Sequence, residues 1–500
     1  MKVPVTLLVV CAAWGVAAAE PHDRTFQLGV TAMPPARANP FRSAGVTSSF
    51  VLPSIYDSLA AVDNDGKLHP RLAISWRAMD MLTWEFKLRD GVKFSNGEDL
   101  TAAGAAATFE ALRSVQDSGF TIARELANIE TVTAADRLTL IIKLKRPNAV
   151  LPQHLYSLNL AAPSLLARVG VEGLSDNPVG TGPFVVESWQ PNVIKMRANA
   201  GAWRQPKVDG LHIHAVPDPV ARVQALATGQ IDAALAVDMD QEAIFAEAGL
   251  HLVQRTPQRI LAIAFNTNDP KSPFADARVR LAVNLGVDMR QITDTFLHGR
   301  VAPASQGALP SALGFDPELK PYGYDPARAK ALLAEAGYVD GFTFTYSFPT
   351  GTLPGDIGIM QQIAADLARI GVTMTIRPIT YAQLARYTLQ GGWEFEALLQ
   401  DFPGNAYDGL RPFQRGGHAC NGAGSWYCDR AIQPVIDAAA FEPDLATRTD
   451  MTREVIRYYH RQATTLLLLP VLGMDGIGPR VKTWVTWGDQ IKFDQLEVTN

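Results

Sequence analysis

A capped helix that ends at a glycine and leads into an apolar strand recurs along this chain. In "YDPARAKALLAEAGY", Asp325 is a suitable N-cap, Pro326 fits the first helical position, and Gly337 can end the helix in a left-handed conformation. The same order of signals recurs in "PDPVARVQALATGQIDAALAV" and in "DIGIMQQIAADLARIGVTMTI". Because helices that return to buried strands build alternating layers, the pattern predicts an α/β fold.

The length of 500 residues is too great for one compact core, so two or more lobes are expected. The segment from about 68 to 100 has a different character. In "TWEFKLRDGVKFSNG", Trp84, Phe86 and Leu88 alternate with polar residues, and "RDG" predicts a turn into a second short strand. We therefore expect a small α+β subdomain inserted within the first α/β lobe.

The N-terminus "MKVPVTLLVVCAAWGVAAAE" has the layout of a secretory signal peptide over residues 1–19. Lys2 gives a positive start, an apolar run follows, and small residues precede a cleavage site between Ala19 and Glu20. The alternative is lipidation at Cys11, but Val10 stands where a lipoprotein site has a small residue. No later apolar run reaches the ~20 residues of a membrane helix, so an exported, soluble mature protein is predicted.

Two cysteines, Cys420 and Cys428, remain once the signal peptide is removed. An even pair in an oxidising compartment predicts a disulfide that closes the short loop "CNGAGSWYC". A metal pair is the alternative, but the spacing is not C-x-x-C and no second cluster follows. His212 and His214 in "LHIHAV" lack a third ligand in the same way, and we expect them to be solvent-facing residues.

The two glycines in "NPVGTGPF" (177–184) raise the question of a phosphate-binding loop. Neither a dinucleotide fingerprint nor a P-loop is present, and Pro183 removes a backbone N–H that could hold phosphate. The segment is therefore interpreted as a tight turn that leads into a strand. The chain also lacks the local motifs of hydrolases and zinc proteases, and a net charge of -5 without basic blocks disfavours nucleic acid as a partner.

Six segments together resemble one family, and they occur in its order along the chain. They read "IYDSLAAVDNDGKLHPRLAISW", "TWEFKLRDGVKFSNGEDLTA", "NPVGTGPF", "ARVQALATGQID", "AFNTNDPKSPFADARVRLAVNLGVD" and "YDPARAKALLAEAGYVDGFTF". This set resembles family 5 of the bacterial extracellular solute-binding proteins, the peptide- and nickel-binding components of ABC importers. One departure is visible, since Ala103, Gly104 and Ala105 stand where the family usually has Ala-Asp-Val.

The resemblance implies a two-lobed clamshell, with no cofactor, that acts as a monomer in the periplasm. Lobe one is expected over 20–263, with the inserted subdomain at about 61–176, lobe two over 264–478, and a return to lobe one over 479–500. Two crossing segments, near "LAIAFNTN" and "LGMDGIGPR", would form the hinge. The expected partners are a small-molecule or peptide solute and the permease subunits of an ABC importer, whose ATPase is a separate cytoplasmic protein.

The resemblance also implies where the ligand binds. It points to the lobe-two stretch "LLQDFPGNAYDGLRPFQRGGH" and to the segment after "NPF", which give the candidates Asp401, Phe402, Tyr407, Arg411 and His418, with Thr47 and Ser49 opposite. Peptide-binding members use a carboxylate for the ammonium of the ligand and a cation for its carboxylate, parts that Asp401 and Arg411 could take. Alternatively, both are rim residues that pair with solvent or with each other.

Three functions stay open on the sequence. A short peptide is the leading ligand. A nickel or other metal chelate follows, because His418 is suitably placed but "LYSLNLAAPS" offers Asn159 and no arginine. An exported hydrolase is a distant third, since a catalytic triad needs no local motif.

Overall fold

The computed structural model describes residues 24–42, 46–115, 122–238, 241–350, 355–403, 407–414, 417–418, 420 and 424–499. The predicted signal peptide lies outside these residues. The strands are β1 (Thr25–Val30), β2 (Ala60–Val62), β3 (Leu68–Pro70), β4 (Ala73–Ala78), β5 (Thr83–Leu88), β6 (Ile129–Ala134), β7 (Thr139–Leu144), β8 (Phe184–Trp189), β9 (Val193–Ala198), β10 (Gly210–Ala215), β11 (Ala233–Leu235), β12 (His251–Arg255), β13 (Arg259–Phe265), β14 (Phe342–Phe348), β15 (Val372–Pro378), β16 (Ala397–Pro403), β17 (Thr465–Pro470), β18 (Gly473–Ile477), β19 (Val481–Thr483), β20 (Thr486–Trp487), β21 (Gln490–Ile491) and β22 (Glu497–Val498). The α-helices are α1 (Val46–Val51), α2 (Ala102–Val115), α3 (Ala123–Asn128), α4 (Leu151–His154), α5 (Pro163–Gly173), α6 (Pro219–Ala227), α7 (Glu242–Glu247), α8 (Ala277–Leu285), α9 (Met289–Phe296), α10 (Pro326–Glu335), α11 (Asp356–Ala368), α12 (Tyr381–Gln390), α13 (Gln433–Ala440) and α14 (Leu445–Arg461).

Lobe one is built around a mixed sheet in the order β12-β18-β11-β1-β10-β9-β8. Strand β1 runs parallel to β10 and β11, and the other pairs are antiparallel. Phe26 and Leu28 of β1 are completely buried, and they pack in one core with Phe493 and Leu496 from the end of the chain. The last residues therefore contribute to the core around β1.

The inserted subdomain is an antiparallel sheet in the order β4-β5-β7-β6, covered by α2 and α5. Phe86 and Leu88 are buried and Trp84 is half-buried, which confirms the predicted alternation along β5. The second short strand predicted after "RDG" does not form. The backbone N–H of Phe94 donates to Glu98 and that of Gly97 to Phe94, so the chain turns tightly and makes only an isolated bridge there.

Lobe two contains the sheet β15-β14-β16-β13-β17 and most of the remaining helices. The helix signals read from the sequence are confirmed at atomic level. The carboxylate of Asp325 accepts a hydrogen bond from the N–H of Arg328, and Gly337 adopts a left-handed φ of 91° just after α10. Gly371 does the same before β15, where Val372 and Met374 point inward.

The chain crosses between the two large sheets twice. Residues 256–258 connect β12 in lobe one to β13 in lobe two, and residues 471–472 connect β17 back to β18. Both crossings lie a few residues before the boundaries predicted at 263 and 478, because "LAIAF" forms part of the interior strand β13 of lobe two. The stretch "LGMDGIGPR" does include the second crossing at its start.

The glycine motif 177–184 is a structural turn between the inserted subdomain and β8. A Cβ on Gly180 would lie 2.0 Å from the carbonyl oxygen of Ile55, and one on Gly182 would lie 2.5 Å from its carbonyl carbon. Between them, the hydroxyl of Thr181 donates to the buried carboxylate of Asp57 at 3.0 Å. The glycines therefore allow a close approach of two backbones, and no phosphate role is needed to explain them.

The interlobe cleft as candidate functional site

Arg255 is the last residue of β12, directly before the first crossing. Its buried guanidinium donates to Asp475 at 3.1 Å and to Asp489, and it lies 4.8 Å from the ring centroid of Phe50 on α1. This contact fixes α1 beside the crossing segment. The candidates Thr47 and Ser49 lie on that helix and are half-buried.

Asp401 lies near the end of β16, beside the start of β13 where the chain enters lobe two. One carboxylate oxygen, Oδ2, lies 3.4 Å from Nη1 of Arg259. The other oxygen, Oδ1, is buried and has no hydrogen-bond partner among the residues that the structure describes. The side chain as a whole is 42% exposed, so the burial is confined to Oδ1. Desolvation of the carboxylate raises the pKa of Asp401 despite the nearby positive charge of Arg259. A buried carboxylate oxygen that lacks a partner is costly, and a donor supplied by a ligand would remove the cost.

Tyr407 links lobe two to the first crossing. Its hydroxyl donates to Oε1 of Gln258 at 3.0 Å, and its ring meets the edge of Tyr156 from the inserted subdomain, with centroids 5.9 Å apart. The backbone of Tyr407 has a left-handed φ of 49°, which is strained for a residue with a Cβ. Strain of this kind occurs at ligand clamps and hinges, where the surrounding contacts hold it in place.

Arg411 does not face an open cleft. Its guanidinium donates to the carboxylate of Glu125 in the inserted subdomain, at 2.6 Å to Oε1 and 3.4 Å to Oε2. The side chains of both residues are almost fully buried. Asp401 and Arg411 are therefore not paired with each other, and the charge of Arg411 is already neutralised by an acidic group from the opposite lobe.

Phe402 and His418 lie in the core of lobe two. Their rings stack with centroids 5.5 Å apart, and Phe413, Trp426 and Tyr459 also surround the imidazole. Burial lowers the pKa of His418 to about 3, so the ring is neutral. The alternation of side chains along β16 explains the difference from Asp401, because adjacent residues of a strand point to opposite faces.

Several residues near the cleft carry no sequence signal that singles them out. Glu125 and His154 come from the inserted subdomain, while Gln258 and Arg259 come from the crossing and the start of β13. No motif in the surrounding sequence predicts a role for any of them in the site. They become a group only because the two lobes bring them together.

The cysteine pair lies close together, and the two histidines differ from the expectation that they face solvent. The Sγ atoms of Cys420 and Cys428 lie 2.10 Å apart, at bonding distance. His214 Nε2 and His212 Nδ1 both contact the side-chain amide of Gln27, at 2.8 and 3.4 Å, and both rings are half-buried instead of solvent-facing. Within the described ranges, no group of three or more His, Cys, Asp or Glu side chains is placed to hold a metal ion.

Two α/β lobes joined by two crossing segments, with a cleft lined from both sides, define a two-lobed solute-binding protein. The family model "Bacterial extracellular solute-binding proteins, family 5 Middle" matches residues 67–422. The chain belongs to this family.

Relatives of known identity agree with this assignment. The glutathione-binding protein GsiB of Salmonella typhimurium is 30% identical over 416 residues, which cover 81% of this chain and 76% of GsiB. The fold is similar to that of NikA from Brucella suis in complex with Fe(III)-EDTA, with a TM-score of 0.84, 24% identity, and coverage of 95% of this chain and 100% of that one. The fold is also similar to that of DppA from Helicobacter pylori in complex with the peptide STSA. The TM-score is 0.80 and the sequence identity 21%, with coverage of 95% of this chain and 98% of that one.

No helix in the part of the chain that the structure describes is long and apolar enough to cross a bilayer.

Proposed function

We propose that this protein captures a short peptide or peptide-like solute between its lobes and delivers it to the permease of an ABC importer. The observation that carries the proposal is Oδ1 of Asp401, a buried acceptor without a partner among the described side chains. An α-ammonium group is the donor that such a carboxylate binds most strongly, because the hydrogen bond is charge-assisted. The 30% identity to a glutathione-binding protein supports the same ligand class.

The two crossing segments at 256–258 and 471–472 would serve as the hinge. A solute that contacts both lobes stabilises the closed state relative to the open one, and only this difference in affinity shifts the equilibrium. We propose that Thr47 and Ser49 on lobe one, with Asp401 and Tyr407 on the other side, make such contacts. Phe402 and His418 would act indirectly, by fixing the strand that carries Asp401.

We further propose that the chain is exported to the periplasm by cleavage after Ala19, and that it catalyses no reaction. The family is described as extracellular, and the N-terminal pattern fits a signal peptide. Mass spectrometry of the exported protein would test the cleavage site, with Glu20 as the expected first residue.

A thermal-shift screen of the mature protein tests the ligand class. The panel contains reduced glutathione, dipeptides to tetrapeptides, the same peptides with acetylated N-termini, and nickel with histidine. Stabilisation by free peptides or glutathione, and not by their acetylated forms, is the expected result. A response to nickel with histidine alone would replace the peptide proposal with the metal-chelate alternative. Turnover of any panel member would point to the enzyme alternative.

A further inference from the structure

The inserted subdomain touches lobe two directly, at residues far apart in sequence. On the subdomain side are Glu125 on α3 and His154 at the end of α4. On the lobe-two side are Asp408 and Arg411, which follow β16, with Arg448 of α14 behind them. We call these five residues the latch.

Three short contacts hold the latch together. Arg411 donates to Glu125 at 2.6 Å, and Nε2 of His154 lies 3.1 Å from Oδ2 of Asp408. Arg448 holds Asp408 in place with donors at 3.0 and 2.8 Å, all within lobe two. Nδ1 of His154 also lies 3.4 Å from Glu125, so each carboxylate of the latch contacts the imidazole as well as an arginine.

The latch is almost completely removed from solvent. Glu125 is 3% exposed and Arg411 8% exposed. Burial alone would raise the pKa of Glu125, but the positive charge of Arg411 outweighs it and lowers that pKa below its usual value. The pair is therefore ionised where the lobes meet. Removal of one partner of such a buried pair is costly, because the remaining charge stays buried without compensation.

Two further contacts also join the inserted subdomain to lobe two. The guanidinium of Arg146 in the subdomain lies 3.2 Å from the ring centroid of Phe441 in lobe two. The rings of Tyr156 and Tyr407 meet edge to face across the same boundary. The subdomain therefore contacts lobe two at aromatic side chains as well as at the charged latch.

We propose that the latch stabilises the closed state of the protein. The Glu125–Arg411 and His154–Asp408 contacts join the inserted subdomain to lobe two and favour closure without binding the solute. This rests on the proposed hinge closure. When the lobes separate, Glu125 and Arg411 lose each other but regain water, so the open state tolerates the loss of either charge. The same loss in the closed state leaves a buried charge without its partner.

Single-molecule Förster transfer tests the latch. Dyes are attached at Met81→Cys in the subdomain and Val339→Cys in lobe two, whose side chains are 65% and 77% exposed. The ratio of closed to open molecules is measured without added solute and with reduced glutathione. In Glu125→Gln and in Arg411→Gln, we expect this ratio to fall by roughly a hundredfold or more, because the loss of one partner leaves the other charge buried and unpaired in the closed state.

The double variant Glu125→Gln, Arg411→Gln should lose less than the sum of the two single variants, because no buried charge is then left alone. Glu335→Gln is the matched control, since its carboxylate pairs at 3.1 Å with Arg328 within one exposed helix of lobe two. The control should keep the wild-type ratio. Melting temperatures close to wild type would show that the variants fold.

A closed-to-open ratio within about twofold of wild type in both single variants would overturn the latch, because the expected fall is far larger. An equal loss in the Glu335→Gln control would also overturn it, as would a wild-type protein that never closes under either condition. A wild-type ratio that glutathione and peptides leave unchanged would instead count against the peptide proposal, and the comparison of variants without solute would still stand.

Discussion

Replacing Asp401 with Asn tests the ligand-binding side of the cleft. The substitution keeps nearly the same volume but removes the negative charge from the end of β16. Oδ1 is the atom of interest, because it is buried without a partner in the described structure, whereas Oδ2 already lies 3.4 Å from Arg259. If Oδ1 accepts a hydrogen bond from the ammonium group of a peptide, the variant loses one charge-assisted interaction.

The magnitude follows from the type of bond. A hydrogen bond to a charged group is worth ~1.5–3 kcal/mol, and each ~1.4 kcal/mol changes affinity tenfold. Affinity should therefore fall by roughly ten- to a hundredfold. The melting temperature without ligand should stay the same or rise slightly. The raised pKa of Asp401 means that its ionised carboxylate is less favourable in the folded protein than in the unfolded chain.

Isothermal titration calorimetry with reduced glutathione and the best dipeptide of the panel provides the assay. Asp340→Asn is the matched control, an exposed carboxylate of lobe two that lies just before β14, at the end of the sheet away from the cleft. Unchanged affinity in Asp401→Asn would refute the reasoning. A large fall in melting temperature without ligand would show that Asp401 is a structural residue instead.

Three further predictions follow from other parts of the molecule. Asp57→Ala should lower the free energy of unfolding by ~3–5 kcal/mol, because two buried arginines lose their shared carboxylate. Asp209→Ala, at an exposed pair with Arg24, should lower it far less. Cys420 and Cys428 should be bonded to each other in exported protein, as peptide mapping by mass spectrometry can show. Acidification from about pH 7.5 to about pH 5 should lower the ratio of closed to open molecules, since burial lowers the pKa of His154 in the closed state and the open state then binds more protons.

Each of these predictions has a clear contrary result. Equal unfolding energies for the two aspartate variants would contradict the account of the Asp57 network, and denaturant titrations measure them. Free thiols at both cysteines would contradict the disulfide. A closed fraction that rises with acidity, or does not change, would contradict the direction assigned to His154.

The helices and strands were predictable because their signals are local. An N-cap such as Asp325 and a left-handed glycine such as Gly337 act within one or two turns of chain, and both behave as expected. The tight approach of the 177–184 turn to Ile55 is non-local, yet its glycines still favoured a turn over a phosphate site. The strand predicted after "RDG" failed because a second turn, at Gly97, uses the same backbone groups.

The site was predictable only in part, because its chemistry depends on how the lobes meet. The sequence places Asp401 and Phe402 side by side, but it does not tell that Phe402 packs in the core of lobe two while Asp401 lies beside Arg259. Arg411 finds its partner in Glu125, 286 residues earlier in the chain, and no local pattern announces that pair. A contact of this range is set by the tertiary arrangement alone.

A crystal structure of the mature protein with the tightest-binding member of the peptide panel tests the central claim most directly. The account predicts one ligand between the lobes, with its ammonium nitrogen within hydrogen-bonding distance of Oδ1 of Asp401 and the Glu125–Arg411 contact intact beside it. A ligand bound outside the cleft, or an ammonium group turned away from Asp401, would contradict the account.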